Sequence, residues 1–409
     1  MGLRENLDSA LAREALCAMP AAGLLHGEVS AVEQDYRWVR PLRFCDEQLR
    51  TLGSCQAWHP GLFRQMARTT AGVCVEFETD AREVALEVRV DGEPKGTRAV
   101  LEAIDRRSPT GPDPHDGISA SVDGRHVWCG MPEQDLVVLE LAGHDPEDSL
   151  GLVPLPGMER TRHVRIWLPA LRGAVVRDVI CDGSFVRPVA RRRQLLALGD
   201  SIVQGFVSGD PSFSWPALLA ARLDLDLVNQ GVGGQVFQPG SLFGLAGYTN
   251  PARIIVAFGE NYRYEPCVAR RVSLDIRGYL GEVHRLWPQV PVHVLTPLWH
   301  DEEAYPSHAM SCFEHVPDLI AAQVESFENM TLLDGLELLE HDASLLADGF
   351  EHPNERGCRQ IATRINAVMR VPGLRPSSVG KRRKPRKRPV QESKAPEAGS
   401  APLPLDGIL

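Results

Sequence analysis

Two textures of apolar residues divide this chain. From residue 194 onward, apolar-rich runs at 194–198, 225–229, 252–258, 292–296 and 330–334 are too continuous for strands with a wet face, and they predict strands buried on both sides. Between them, helical periodicity covers 214–223, 268–286, 316–327 and 354–369. Strand and helix alternate, which predicts a three-layer α/β domain built on a parallel sheet. Upstream, from about Val29 to Arg187, the pattern changes to short alternating or β-branched runs at 72–78, 84–90, 136–141 and 163–168. Such alternation predicts strands with one face in water, and the turn signals Asp91-Gly92, Asp123-Gly124 and Asp182-Gly183 lie between or beside them. This half is expected to form an all-β sandwich of jelly-roll type. Leu3, Leu7, Leu11 and Leu16 are spaced for one apolar helical face, so residues 1–27 are expected to carry a packing helix.

The resulting organisation is a helical segment at 1–27, a sandwich at 28–188, an α/β domain at 189–372 and a tail at 373–409. A chain of 409 residues with 43% hydrophobic content supports more than one packed core. The tail opens with Lys381-Arg382-Arg383-Lys384-Pro385-Arg386-Lys387-Arg388 in a chain whose net charge is −10. That segregation reads first as a solvated, disordered extension, and it also suits contact with acidic surfaces. No apolar run reaches the length of a membrane span or a signal-peptide core, so a soluble, cytoplasmic protein is expected. The nine cysteines are odd in number and contain no Cys-x-x-Cys pair, which favours reduced thiols over a disulfide framework or a zinc site.

Four segments carry chemistry. Gly199-Asp200-Ser201 follows the first buried strand, where an open α/β sheet exposes its carboxyl edge. A capping serine is the plain alternative there. Gly231-Val232-Gly233-Gly234 follows the second strand and offers backbone N–H groups. Gly259-Glu260-Asn261 follows the third, and an asparagine amide donates two hydrogen bonds. Asp348-Gly349-Phe350-Glu351-His352 then supplies an acid and an imidazole after the serine in chain order. No phosphate loop occurs, and Gly231-Val232-Gly233-Gly234 lacks the third glycine of a dinucleotide fingerprint, so no nucleotide cofactor is implied.

These four blocks, in this order, resemble the SGNH, or GDSL, hydrolase superfamily over roughly residues 193–370. The resemblance implies Ser201 as nucleophile, His352 as base, Asp348 as acid, and an oxyanion hole formed by the Ser201 and Gly234 backbone N–H groups with the Asn261 side chain. Trp215-Pro216-Ala217, opening a helix after the nucleophile, also resembles the family. Two departures stand out: Tyr262 replaces the usual aspartate after Asn261, and three residues rather than two separate Asp348 from His352. The acid is therefore open between Asp348, Glu351, Asp342 and a Ser–His dyad. An α/β-hydrolase elbow fits worse, because Val203 occupies the position where that motif needs glycine.

The chemistry implied is acyl transfer through an acyl-enzyme, with a short acyl group such as acetyl removed from a carbohydrate-like or other small substrate. Within the same fold a thioesterase or lysophospholipase is the alternative, with Phe206, Phe237 and Leu242 as candidate lining of an apolar groove. A degraded hydrolase acting as a binding protein is the alternative of another class. The sandwich resembles the N-terminal domain of one branch of SGNH esterases, and its Trp58, Trp128 and Trp167 are candidates for stacking on a sugar, although core packing is the commoner fate of such residues. Histidines and carboxylates at 299–308 show no metal-ligand spacing and read as a solvated loop.

Overall fold

The protein is described from a computed structural model, which covers residues 3–7, 13–54, 65–93, 97–107, 115–142, 160–263, 268–304 and 313–370. The alternating half of the chain forms β1 (Cys17–Pro20), β2 (Leu25–His26), β3 (Ser30–Glu33), β4 (Val39–Leu42), β5 (Cys74–Thr79) and β6 (Glu83–Val90). It continues with β7 (Ile118–Val122), β8 (Arg125–Gly130), β9 (Leu136–Glu140), β10 (Arg162–Trp167), β11 (Ala174–Cys181) and β12 (Val186–Pro188). Two antiparallel sheets result, one in the order β3-β4-β11-β6-β9 with β1 also on β11, the other β12-β5-β10-β7-β8 with β2 also on β5. Val84, Leu86 and Val88 of the first sheet share one core with Val75, Phe77, Val164 and Ile166 of the second. Asp123 and Gly124 both take positive φ, 50° and 77°, the geometry a tight β7–β8 hairpin needs.

One expectation is corrected here. Among the described residues, helix covers Leu3–Leu7 and 13–14 and does not run on to residue 27, because β1 begins at Cys17. Strand pairing takes over from Cys17, because Cys17 to Pro20 align with Cys181 to Asp178 along an edge of β11 and their burial alternates with period two. Leu11 lies outside the described residues.

The second half contains β13 (Gln194–Gly199), β14 (Asp226–Gly231), β15 (Pro251–Ala257), β16 (Val292–Leu295) and β17 (Met330–Leu333), all parallel, in the order β14-β13-β15-β16-β17. Helices Ala269–Leu286 and Val316–Val324 cover one face through Val272, Ile276, Leu280, Val316 and Ile320. Helices Trp215–Leu223 and Glu355–Arg370 cover the other through Leu219, Ala220, Ile361 and Ile365. The expected strand and helix order is thus what forms, with boundaries shifted by a few residues at most.

The sandwich and the α/β half are joined by buried polar contacts. Arg43, just past β4, is fully buried; its Nε and Nη2 donate to the Thr69 and Met66 carbonyls, and its Nη1 to the carbonyls of Asn229 (2.8 Å) and Gly231 (2.9 Å) at the end of β14. Gln48 Nε2 donates to Gln230 Oε1 at 2.8 Å, and Gln230 Nε2 returns a bond to the Arg43 carbonyl. A second junction gathers His26, Glu76 and Asp226, with Arg192 paired to both carboxylates and Arg165 to Glu76. Burial would raise the Glu76 pKa, but hydrogen bonds from His163, Arg192 and Arg165 pull it well below the usual carboxylate range. The guanidinium groups already on both carboxylates make this an ion network between the two halves.

Candidate active site

Strand β13 ends at Gly199, and the chain turns at once into the short helix Ser201–Gln204. A Cβ at Gly199 would lie 2.1 Å from Val203 Cγ2 and 2.5 Å from the Ala257 carbonyl, so only glycine lets the turn close this tightly. Asp200 caps the helix by accepting from the Ile202 N–H at 3.0 Å, which leaves Ser201 on the first turn at the carboxyl edge of the sheet. Ser201 Oγ lies 2.9 Å from His352 Nε2, and His352 Nδ1 lies 2.6 Å from Asp348 Oδ2.

The extra residue between Asp348 and His352 is absorbed locally. Gly349 takes φ +68°, a left-handed turn, and Asp348 Oδ1 then accepts from the backbone N–H groups of Phe350, Glu351 and His352 at 2.9, 2.9 and 3.1 Å. That nest fixes one carboxylate oxygen while the other faces the imidazole. Of the alternative acids, Glu351 Oε1 stands 4.0 Å from His352 Nδ1, and Asp342 instead caps the 3-10 turn Ala343–Leu345.

Electrostatics follow the geometry. Burial alone would lower the His352 pKa, but the charge and hydrogen bond of Asp348, with lesser help from Glu351 and Asp200, hold it up at about 9. Burial would raise Asp348, and the facing imidazole with the backbone donors brings it below its usual value. Asp200 is pushed up to about 8 by burial and then by Glu260, and Glu260 is pushed up to about 7 by burial against the pull of Arg263. Arg263 is buried, with Nη2 2.9 Å from Glu260 Oε2 and its guanidinium carbon 4.7 Å from the ring centroids of both Phe313 and Phe350.

The glycine and amide blocks converge on the same edge. Gly234 follows β14 in a left-handed conformation, φ +79°, and the preceding Gly233 N–H donates to Gln204 Oε1 at 2.9 Å. Asn261 is buried in the 3-10 turn Glu260–Arg263, and its Nδ2 donates to the Gln235 carbonyl at 3.0 Å. Phe206 packs 4.9 Å, centroid to centroid, from the His352 ring. It belongs to a small apolar cluster with Leu101 and Ile104 of helix Thr97–Arg107 and with Leu171, so the sandwich half reaches the serine's surroundings.

Several proposed lining residues sit elsewhere. Phe237 and Leu242 are core, packed with Phe258 and Tyr279 under the sheet. Trp167 is buried where the two halves meet, and Trp128 packs against the sandwich core. Trp58, residues 305–308 and the tail from 373 lie outside the described residues. Of the acidic loop, His300 Nδ1 stands 3.7 Å from Glu260 Oε2, and Trp299 stacks on His341. Arg43, Gln204, Glu260 and Arg263 went unnoticed in sequence. Only the buried Glu260 and Arg263, three apart on a strand-following turn, carried a readable signal.

Residues 197–360 match the GDSL-like Lipase/Acylhydrolase family. No curated protein matches the chain. Among solved structures, a salicylyl-acyltransferase, SsfX3, from a tetracycline biosynthetic pathway is 17% identical with a TM-score of 0.64, covering 87% of this chain and 97% of its own. A GDSL-like lipase from Bacteroides ovatus is 16% identical with a TM-score of 0.63 and the same coverage. A family two carbohydrate esterase from Clostridium thermocellum, solved with cellohexaose, is 13% identical with a TM-score of 0.55, covering 84% of this chain and 98% of its own. At these identities the likeness is one of fold, and it extends over most of each chain. Through residues 197–360, this chain belongs to the SGNH/GDSL hydrolase superfamily.

Proposed function

We propose that the protein is a serine-dependent ester hydrolase that removes a short acyl group, such as acetyl, from a carbohydrate-like or other small substrate. The observation that carries this reading is the continuous contact from Ser201 Oγ to His352 Nε2 and from His352 Nδ1 to Asp348, at 2.9 and 2.6 Å. In it, His352 accepts the Ser201 proton as Oγ attacks the acyl carbon, then returns that proton to the leaving alcohol. Asp348 holds the imidazole tautomer and balances the imidazolium. The Ser201 and Gly234 N–H groups and the second amide proton of Asn261 meet the oxyanion, and water repeats the cycle on the acyl-enzyme.

Burial of Phe237 and Leu242 in the core removes two residues that would have lined a long acyl groove, which supports a short acyl group over a lysophospholipase. The close Asp348–His352 contact likewise favours a working hydrolase over a degraded binding module. We read the sandwich as jelly-roll-like, supported by its two antiparallel sheets with neighbours distant in sequence, and we place its boundary with the catalytic domain near residue 189. The test is hydrolysis of p-nitrophenyl acetate, butyrate and octanoate by the wild type, Ser201→Ala, His352→Ala and Asp348→Asn, with fluorophosphonate labelling of each. Turnover of acetate that falls by about 10³-fold or more in the serine and histidine variants is expected. A wild type that neither turns over nor labels refutes the hydrolase. Because a salicylyl-acyltransferase shares the fold over most of its length, the assay is repeated with added sugar acceptors. Acylated acceptor in place of free acid would move the second step from hydrolysis to transfer.

A further inference from the structure

Antiparallel strands β1 and β11 align Cys17 directly with Cys181. Residues opposed in this way share one face of the sheet, and both side chains pack on the sandwich core, Cys181 fully and Cys17 half-buried. Opposed residues on antiparallel strands have Cα atoms about 4.5 or 5.5 Å apart, depending on whether the pair is hydrogen-bonded. Both separations fall inside the window of about 4.4–6.8 Å that disulfides occupy. The thiols are therefore placed to bond without moving either strand far.

We propose that Cys17 and Cys181 are a cross-strand redox pair whose oxidation by a low-molecular-weight disulfide, such as glutathione disulfide, locks the N-terminal strand onto the sandwich. Cys17, the more accessible, attacks the glutathione disulfide as thiolate and expels one glutathione. Cys181 then attacks the Cys17 sulfur, and its proton leaves with the second glutathione. Two protein thiols are oxidised, one glutathione disulfide is reduced to two thiols, and no other reactant is needed. Burial pushes the Cys181 thiol up to about 11, in keeping with the first attack coming from the more accessible Cys17. What the bond secures is a four-residue edge strand that follows Arg13, whose Nη2 pairs with Glu87 at 2.6 Å. With Arg4, Trp38 and Arg177, these residues line a cavity of about 250 Å³. A four-residue edge strand opens readily when only backbone bonds hold it.

The experiment uses the full-length protein in a Cys129→Ser background, which removes an exposed thiol. After incubation with glutathione disulfide, a non-reducing digest should contain a peptide linking Cys17 to Cys181, two hydrogens lighter than its halves. Thermal denaturation should shift upward by at least about 4 °C and return on reduction. Cys17→Ser, which leaves the buried partner in place, should lose both the cross-linked peptide and the shift. The digest of the unsubstituted pair stands whether or not a variant folds. Free thiols at both positions after oxidation, glutathione retained on Cys17 without the cross-link, or a Cys17→Ser protein that keeps the full thermal shift would each overturn the proposal.

Discussion

Arg43 ties the accessory half to the end of β14 at the carboxyl edge of the parallel sheet, and on the proposed function replacing it should cost both stability and rate. Its guanidinium is fully buried, and desolvation lowers its pKa to about 9, so it remains cationic at neutral pH. Four backbone carbonyls, of Met66, Thr69, Asn229 and Gly231, receive its N–H groups at 2.6–2.9 Å. Arg43→Met keeps the unbranched volume and removes every donor. At roughly 1 kcal/mol net for each carbonyl left without its partner, with part of the guanidinium's desolvation cost recovered, the loss is about 3 kcal/mol. Two of those carbonyls flank Gln230, immediately before the turn that presents Gly233 and Gly234. A displacement of that turn by about 1 Å would lower turnover on the order of 10²-fold. Arg43→Lys keeps a charge but lacks the fork, and should lie between the two. The assay is kcat on p-nitrophenyl acetate at a temperature well below each variant's Tm, measured beside the fluorophosphonate labelling rate. An Arg43→Met protein that stays folded with wild-type kcat would refute the positioning argument, and an unchanged Tm would refute the argument from burial.

Three further outcomes are expected. Because His352 must be neutral to accept the serine proton and its pKa is held up at about 9, kcat/KM should climb from neutral pH to a plateau above that value, and Asp348→Asn should move the midpoint down. The same raised pKa means that the stability His352 contributes is fully present below about pH 6.5 and is lost as pH rises through about 9, which a Tm series against pH will show as a decline absent from His352→Ala. Asn261→Ala should lower kcat by about 10²–10³ with little change in KM, and an equal loss in KM would mean that the amide binds the ground state instead. At the junction of the halves, Glu76 and Asp226 are both held below the ordinary carboxylate range, so their stabilisation is present above about pH 4 and is lost as pH falls through their folded values; Asp226→Asn should abolish part of that acid transition in calorimetry.

How far the sequence disclosed this protein depends on where each contact originates. The serine, the glycine turn and the amide were legible because each sits just beyond the end of an apolar strand, and a parallel sheet brings such ends to one edge whatever the intervening loops do, while the imidazole was legible from its place after them in chain order. Asp348 was less legible, because its spacing to His352 makes sense only once Gly349 turns left-handed and three backbone N–H groups close around the carboxylate. The leucine spacing marked helix near Leu3–Leu7 but not where it ends: from Cys17 to Pro20 the chain pairs with β11 instead, and a local helical preference of modest size does not disclose that distant partner. Arg43 and Gln48 carried no signal at all, since nothing in the sequence marks which polar residue another half of the chain will bury. The parts that escaped sequence reasoning are therefore the long-range ones, and they are the parts that hold the end of β14 ahead of the Gly233-Gly234 turn. A catalytic half cut away near residue 189 would keep Ser201, His352 and Asp348 in its sequence but lose the guanidinium on the Asn229 and Gly231 carbonyls and the apolar support of Leu101 and Leu171 behind Phe206. On the proposed function the sandwich is therefore expected to support turnover physically, through the Asn229 and Gly231 carbonyls that Arg43 binds and the side chains it packs against Phe206, which itself lies on the His352 ring.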